Sequence, residues 1–123
     1  MNENNITERI LKAAFTGHSA LRPGLLESSY KECLVHEMIT DDLFVEKEKP
    51  MPLIYKQVKL NIGYQLDLLV EKSVVVEIKT VEAFTDVHLA QVLTYLKLSK
   101  CRVGLLLNFK VASLKNEIKR VVL

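Results

Sequence analysis

Three ionisable residues inside two short apolar runs constrain this chain more than any other feature. Asp67 lies in Tyr64-Gln65-Leu66-Asp67-Leu68-Leu69-Val70, and Glu77 and Lys79 lie in Val74-Val75-Val76-Glu77-Ile78-Lys79. Short runs dominated by Val, Ile and Leu predict buried strands. A carboxylate in such a strand costs several kcal/mol to desolvate unless something offsets it. Two carboxylates and an ammonium in adjacent core strands therefore imply a partner, and a divalent metal ion is the obvious candidate. The alternative is an internal ion pair, Lys79 with Glu77 or Asp67, that holds the sheet without a metal.

The spacing makes this a geometric expectation. Side chains alternate across a strand, so Glu77 and Lys79 project from the same face. A three-residue turn from Glu71 to Ser73 pairs Val70 with Val74 and sets Asp67 opposite Glu77. A shorter turn places Asp67 on the wrong face unless a bulge corrects it. In the favourable register both carboxylates converge within reach of one ion. Hard oxygen donors of this kind suit Mg²⁺ or Mn²⁺. Such an ion polarises a phosphodiester oxygen and acidifies a bound water. Lys79 would orient that water or stabilise charge developing on the phosphate.

Other polar residues extend the pattern. Gln91 and Tyr95 stand one helical turn apart, with His88 a turn earlier, so a helix after the Glu77 strand aims them at one place. The competing explanation makes Tyr95 a core residue and His88 a cap or surface residue. Glu27 and Tyr30 form another one-turn pair. Glu27 suits the positive end of a helix dipole, or serves as a further metal or water ligand.

Around these residues the chain reads as one domain over residues 1–123. Asn5 and Glu8 form a capping-box pattern for a helix over 6–20. A second helix is expected over 25–40, with Leu26, Tyr30, Cys33, Leu34 and Met38 on its buried side. A strand begins at Leu43, Pro50 and Pro52 confine this region to an edge or to irregular pairing, and a hairpin turns at Lys56-Gln57. Thr85 or Asp86 caps a largely buried helix over 86–98. Residues 102–108 read as a buried strand, and Ser113 as the cap of an amphipathic helix over 114–122. The prediction is an α/β (α+β) fold, a mixed sheet with helices on both faces and a βαβ crossover after Glu77.

Composition excludes several classes. No apolar window is long enough for a membrane span. Met-Asn-Glu-Asn-Asn lacks a basic stretch followed by an apolar run, so no signal peptide is expected. Cys33 and Cys101 read as buried free thiols of a cytoplasmic protein and cannot alone hold a structural zinc or an iron–sulfur cluster. Residues 97–123 carry seven basic side chains against Glu117 alone, whereas 1–96 carry ten basic and fourteen acidic ones. That basic segment either meets a phosphate backbone or is a solvated helix face.

Pro23-Gly24-Leu25-Leu26-Glu27-Ser28-Ser29-Tyr30 resembles the signature of the small bacterial GxxExxY proteins. Runs 64–70, 76–79, 88–96 and 103–109 are similar, in order, to the rest of that family's pattern. The family is grouped with the PD-(D/E)XK nuclease superfamily, whose restriction-endonuclease-like core is α-β-β-β-α-β. The resemblance implies that Asp67 and Glu77 are metal-binding acids, Lys79 the catalytic lysine and Glu27 an acid on the first core helix. Gln91 and Tyr95 match the Gln-x3-Tyr motif of exonuclease-like branches. Two positions depart from the pattern: Leu66 replaces the proline before Asp67, and Arg22 stands where glycine is usual. The implied function is a Mg²⁺- or Mn²⁺-dependent nuclease acting on nucleic acid, DNA more than RNA, through a metal-activated water, with a protein partner or homo-oligomer helping to hold substrate. The alternative is a non-catalytic nucleic-acid- or protein-binding module that keeps the fold.

Overall fold

The computed structural model describes all 123 residues. Helix α1 spans Glu3–Leu21 and α2 spans Glu27–Thr40. Helix α1 begins earlier than the capping-box pattern at Asn5 predicts. Asn2 is the cap, and its side chain accepts the Asn5 N–H at 2.8 Å. Asn2 offers the same acceptor one turn further out, with Glu3 in the first turn facing the dipole, so the longer helix forms. In α2, Tyr30, Leu34 and Met38 are buried as expected, while Cys33 is only half-buried. Leu26 is not on the buried side: it occupies the extended N-cap position, off the helical face, and is 74% exposed.

The strands are β1 (Val45–Pro50), β2 (Leu53–Tyr55), β3 (Val58–Leu60), β4 (Gln65–Val70), β5 (Val74–Lys79), β6 (Val103–Asn108) and β7 (Ile118–Val122). Helix α3, Asp86–Ser99, connects β5 to β6. One five-stranded sheet has the order β1-β4-β5-β6-β7, and β2–β3 form a separate two-stranded ribbon. β5 and β6 run parallel, and every other neighbouring pair is antiparallel. This is the expected mixed sheet with helices on both faces. Ile10, Leu34 and Met38 of α1 and α2 pack on Leu68, Val70, Val76 and Leu105. On the other face Val92, Tyr95 and Leu96 of α3 pack on Leu66, Leu69, Val75 and Leu106. β6 is buried on both sides, which explains its unbroken apolar run.

Two expectations are corrected. Helix α3 is not largely buried: only Val92, Tyr95 and Leu96 are, because it covers its face of the sheet alone and turns its outer side to solvent. It approaches closely at Gly104, where a Cβ would lie 2.9 Å from Val92 Cγ1. The helix expected over 114–122 is instead a 3₁₀ turn, Leu114–Asn116, followed by β7. A short isolated helix gains little, whereas Ile118, Val121 and Val122 are strand formers that complete the open edge of β6. Lys119 and Arg120 are thus exposed on an edge strand, where charge discourages further pairing. No helix is long and apolar enough to cross a membrane.

Candidate active site

The turn at Glu71–Ser73 gives the favourable register, with Val70 opposite Val74 and Leu68 opposite Val76. Regular pairing stops there. On the other side of β4, pairing runs from Lys47–Leu68 to Lys49–Leu66 and skips Glu48 and Asp67. Glu48 has φ +53°, and Leu66 and Leu68 pack into opposite cores although they are two residues apart. The pleat is therefore interrupted at Asp67, and the sheet opens beside it.

The two carboxylates fill the opening reciprocally. The Asp67 backbone N–H donates to Glu77 Oε2 at 2.8 Å, and the Ile78 N–H donates to Asp67 Oδ2 at 2.9 Å. Each side chain thus accepts an N–H from the opposite strand. Glu77 is 3% exposed. Burial, and then the charge of Asp67, pushes its carboxyl up to about 8, against the lowering pull of the Asp67 N–H, Lys79 and Lys31. Its carboxylate accepts a hydrogen bond only through Oε2, which leaves Oε1 free of one.

Lys79 is the last residue of β5. Its Nζ donates to Gln91 Oε1 at 3.3 Å, and Gln91 Nε2 donates to Tyr95 Oη at 3.1 Å. The three residues form a polar row from the end of β5 along α3. Burial, then the charges of Glu77 and Asp67, holds the Tyr95 hydroxyl above its ordinary range, so it stays protonated. Tyr95 in turn meets the Tyr64 ring edge-on at 6.3 Å. The exit of β5 is held by Asn108, which is fully buried. Asn108 donates to the Val81 carbonyl at 2.8 Å and accepts the Val81 N–H at 3.1 Å.

His88 is a cap. It accepts the Thr85 N–H at 3.0 Å through Nδ1, while its own N–H reaches Thr85 Oγ1 at 3.4 Å. Tyr30 shapes the loop before α2. Its hydroxyl donates to the Arg22 carbonyl and accepts the Leu25 N–H, and its ring stacks on Phe109 at 4.8 Å. Arg22 has φ +64° and ψ 169°, a region almost restricted to glycine. A side chain at Arg22 therefore places strain at this loop. Glu27 is the first residue of α2 and forms none of the ion pairs. No three His, Cys, Asp or Glu side chains gather as an ion-binding group, so Glu27 does not join Asp67 and Glu77.

Lys31 is the residue that sequence reasoning missed. Its Nζ lies 3.5 Å from Asp67 Oδ1 and 3.5 Å from Glu48 Oε1, with the side chain 13% exposed. Burial acts to lower its pKa, but Asp67 and Glu48 more than offset this, so it stays charged. The available signal was its position one turn after Glu27 on the same helix face.

The model of one family, the PD-(D/E)XK nuclease superfamily, matches residues 4–121. No curated protein and no solved structure matches the chain.

Proposed function

The chain belongs to the PD-(D/E)XK nuclease superfamily, and from that premise we propose that it hydrolyses phosphodiester bonds of nucleic acid, DNA in the first instance, with Mg²⁺ or Mn²⁺. Within the superfamily, the run from Gly24 to Tyr30 supports placing it with the GxxExxY group. One observation carries the reading: at a break in the sheet two carboxylates face each other, beside a lysine tethered through Gln91 to Tyr95. A buried Glu77 beside Asp67 is electrostatically costly alone, and a cation relieves that cost. The donors are oxygens, as Mg²⁺ and Mn²⁺ prefer.

Asp67 and Glu77 would hold the ion, with Glu27 outside that pair. When bound, the ion supplies Lewis acidity and lowers the pKa of a water. Lys79, its Nζ held by Gln91, orients the attacking water and stabilises charge on the phosphoryl oxygens. Tyr95 fixes the Gln91 amide so that its oxygen, not its nitrogen, faces Lys79. Water attacks phosphorus, the bond to the leaving oxygen breaks, and no covalent enzyme intermediate forms.

The test is cleavage of labelled single- and double-stranded DNA and RNA in Mg²⁺, Mn²⁺ or EDTA. Metal-dependent cleavage that falls at least a hundredfold in Lys79→Ala is expected. Cleavage that persists in EDTA or in Lys79→Ala would refute the assignment. One observation favours the second reading, a binding module without turnover: Lys31 already neutralises Asp67. Unchanged nucleic-acid affinity in Lys79→Ala with no cleavage by either protein would favour it.

A further inference from the structure

The β2–β3 ribbon has no place in the sheet and no cover. Its cross-strand pairs are Leu53–Leu60, Ile54–Lys59 and Tyr55–Val58. Pairs alternate between faces, so Ile54 and Lys59 share one face while Tyr55 and Val58 share the other. Both faces are open near the tip: Ile54 is 60% exposed, Tyr55 57% and Val58 55%. A two-stranded hairpin is marginal alone in water, and exposed apolar groups clustered in this way mark an interaction surface.

The charge identifies the partner. Residues 49–66 contain Lys49, Lys56 and Lys59 and no Asp or Glu. Lys49 is paired with Glu46, but Lys56 and Lys59 have no acidic partner. Lys56 Nζ lies over one face of the Tyr55 ring, 5.4 Å from its centroid, and the ring is otherwise largely exposed, so a cation and an aromatic surface are presented together. The base of the ribbon is closed by the Met51 N–H donating to the Tyr64 carbonyl at 2.8 Å. Tyr64 rests on Tyr95, the end of the row from Lys79. The ribbon is thus rooted three residues before Asp67 and tied to the candidate site.

We propose that the β2–β3 ribbon is an arm that grips single-stranded nucleic acid beside the Asp67–Glu77 site, with a base stacked on Tyr55 on one face and flanking phosphates met by Lys56 at the tip and, as the strand passes the ribbon edge, by Lys59 on the other face. The inference rests on the hydrolytic reading for its substrate class. Aromatic faces plus lysines, without a groove for base edges, are the elements of sequence-tolerant single-strand binding. A duplex hides its base faces in the stack and offers the arm only phosphates.

The test is fluorescence anisotropy on the full chain in EDTA, with a single-stranded oligonucleotide and its duplex. Tyr55→Ala is expected to weaken single-strand binding about tenfold, while Tyr55→Phe, which keeps the ring, retains it. Lys56→Gln/Lys59→Gln should reduce the salt slope by about 0.7 per lysine. Equal single-strand affinity in the wild type, Tyr55→Ala and the double lysine variant would overturn the arm. The hydrolytic reading would still stand if cleavage remained sensitive to Lys79→Ala. Tighter binding of duplex than of single strand, with Tyr55→Ala neutral, would also overturn it. So would a concentration-dependent dimer that Ile54→Ser/Val58→Ser dissociates, because a second copy would then cover the ribbon.

Discussion

Replacing Glu77 by Gln tests whether the site is strained without a cation. The glutamine oxygen can still accept the Asp67 N–H that Glu77 Oε2 accepts at 2.8 Å, so shape and that hydrogen bond persist while the charge goes. The Glu77 carboxyl is raised from 4.5 to about 8 by burial and by Asp67. A folded-state pKa above the unfolded value means that the fold favours the protonated form. The associated stability is fully present below pH 4.5 and is lost as pH rises through about 8. Each pH unit inside that window is worth about 1.4 kcal/mol. At pH 7 the wild type has therefore forgone about 3 kcal/mol relative to its acid limit, and above pH 8 about 5 kcal/mol. Urea denaturation in EDTA from pH 4.5 to 8.5 reads this, and the difference between the two proteins cancels the titration of groups remote from the site, leaving Glu77 and the groups coupled to it. Glu77→Gln should match the wild type near pH 4.5 and become progressively more stable above it, by about 3 kcal/mol at pH 7. Adding Mn²⁺ should reverse the order, because only the carboxylate gains from the ion. A Glu77→Gln protein less stable than the wild type at pH 7–8 in EDTA would refute the reasoning. It would mean that Lys31 and Lys79 already compensate the charge.

Lys31→Met should tighten Mn²⁺ binding at least severalfold by calorimetry, because it removes a cation 3.5 Å from Asp67 Oδ1; weaker binding would show that Lys31 positions Asp67 instead. Arg22→Gly should stabilise the protein by about 1 kcal/mol in urea melts, since φ +64° with ψ 169° is costly for a side chain; a lower melting temperature would contradict the strain. Gly104→Ala should cost about 1–3 kcal/mol by pushing Val92 and α3 off the sheet; a neutral result would mean that α3 shifts freely. Tyr30→Phe should cost about 1–2 kcal/mol, because the Leu25 N–H and the Arg22 carbonyl both lose their partner; no change in stability would leave the loop held by stacking on Phe109 alone.

Much of the architecture was legible because it depends on local rules. Strands β4, β5 and β6 are short Val- and Leu-rich runs, and burial on both faces leaves them no polar alternation to confuse. The Glu71–Ser73 turn sets the Val70–Val74 register from its length alone. The Gln91–Tyr95 pair follows from helical spacing and meets Lys79 as the order of elements implies. The C-terminal segment was not legible in this way. Its charges repeat as on an amphipathic helix, and only the vacant edge of β6 makes a strand the better use of Ile118, Val121 and Val122.

The sequence by itself determined the strand and helix inventory of the core, the mixed sheet and the identity of the carboxylates and lysine that sit in apolar surroundings. It did so because periodicity, turn length and the cost of burying charge act over a few residues. Tertiary structure decided three other things. Lys31 reaches Asp67 only once α2 packs on the sheet. Glu77 accepts the Asp67 N–H only where the ladder opens at a skipped pair. β2 and β3 leave the sheet as an uncovered ribbon although their residues read as ordinary strands. Each depends on distances between segments far apart in the chain, and no local pattern encodes them.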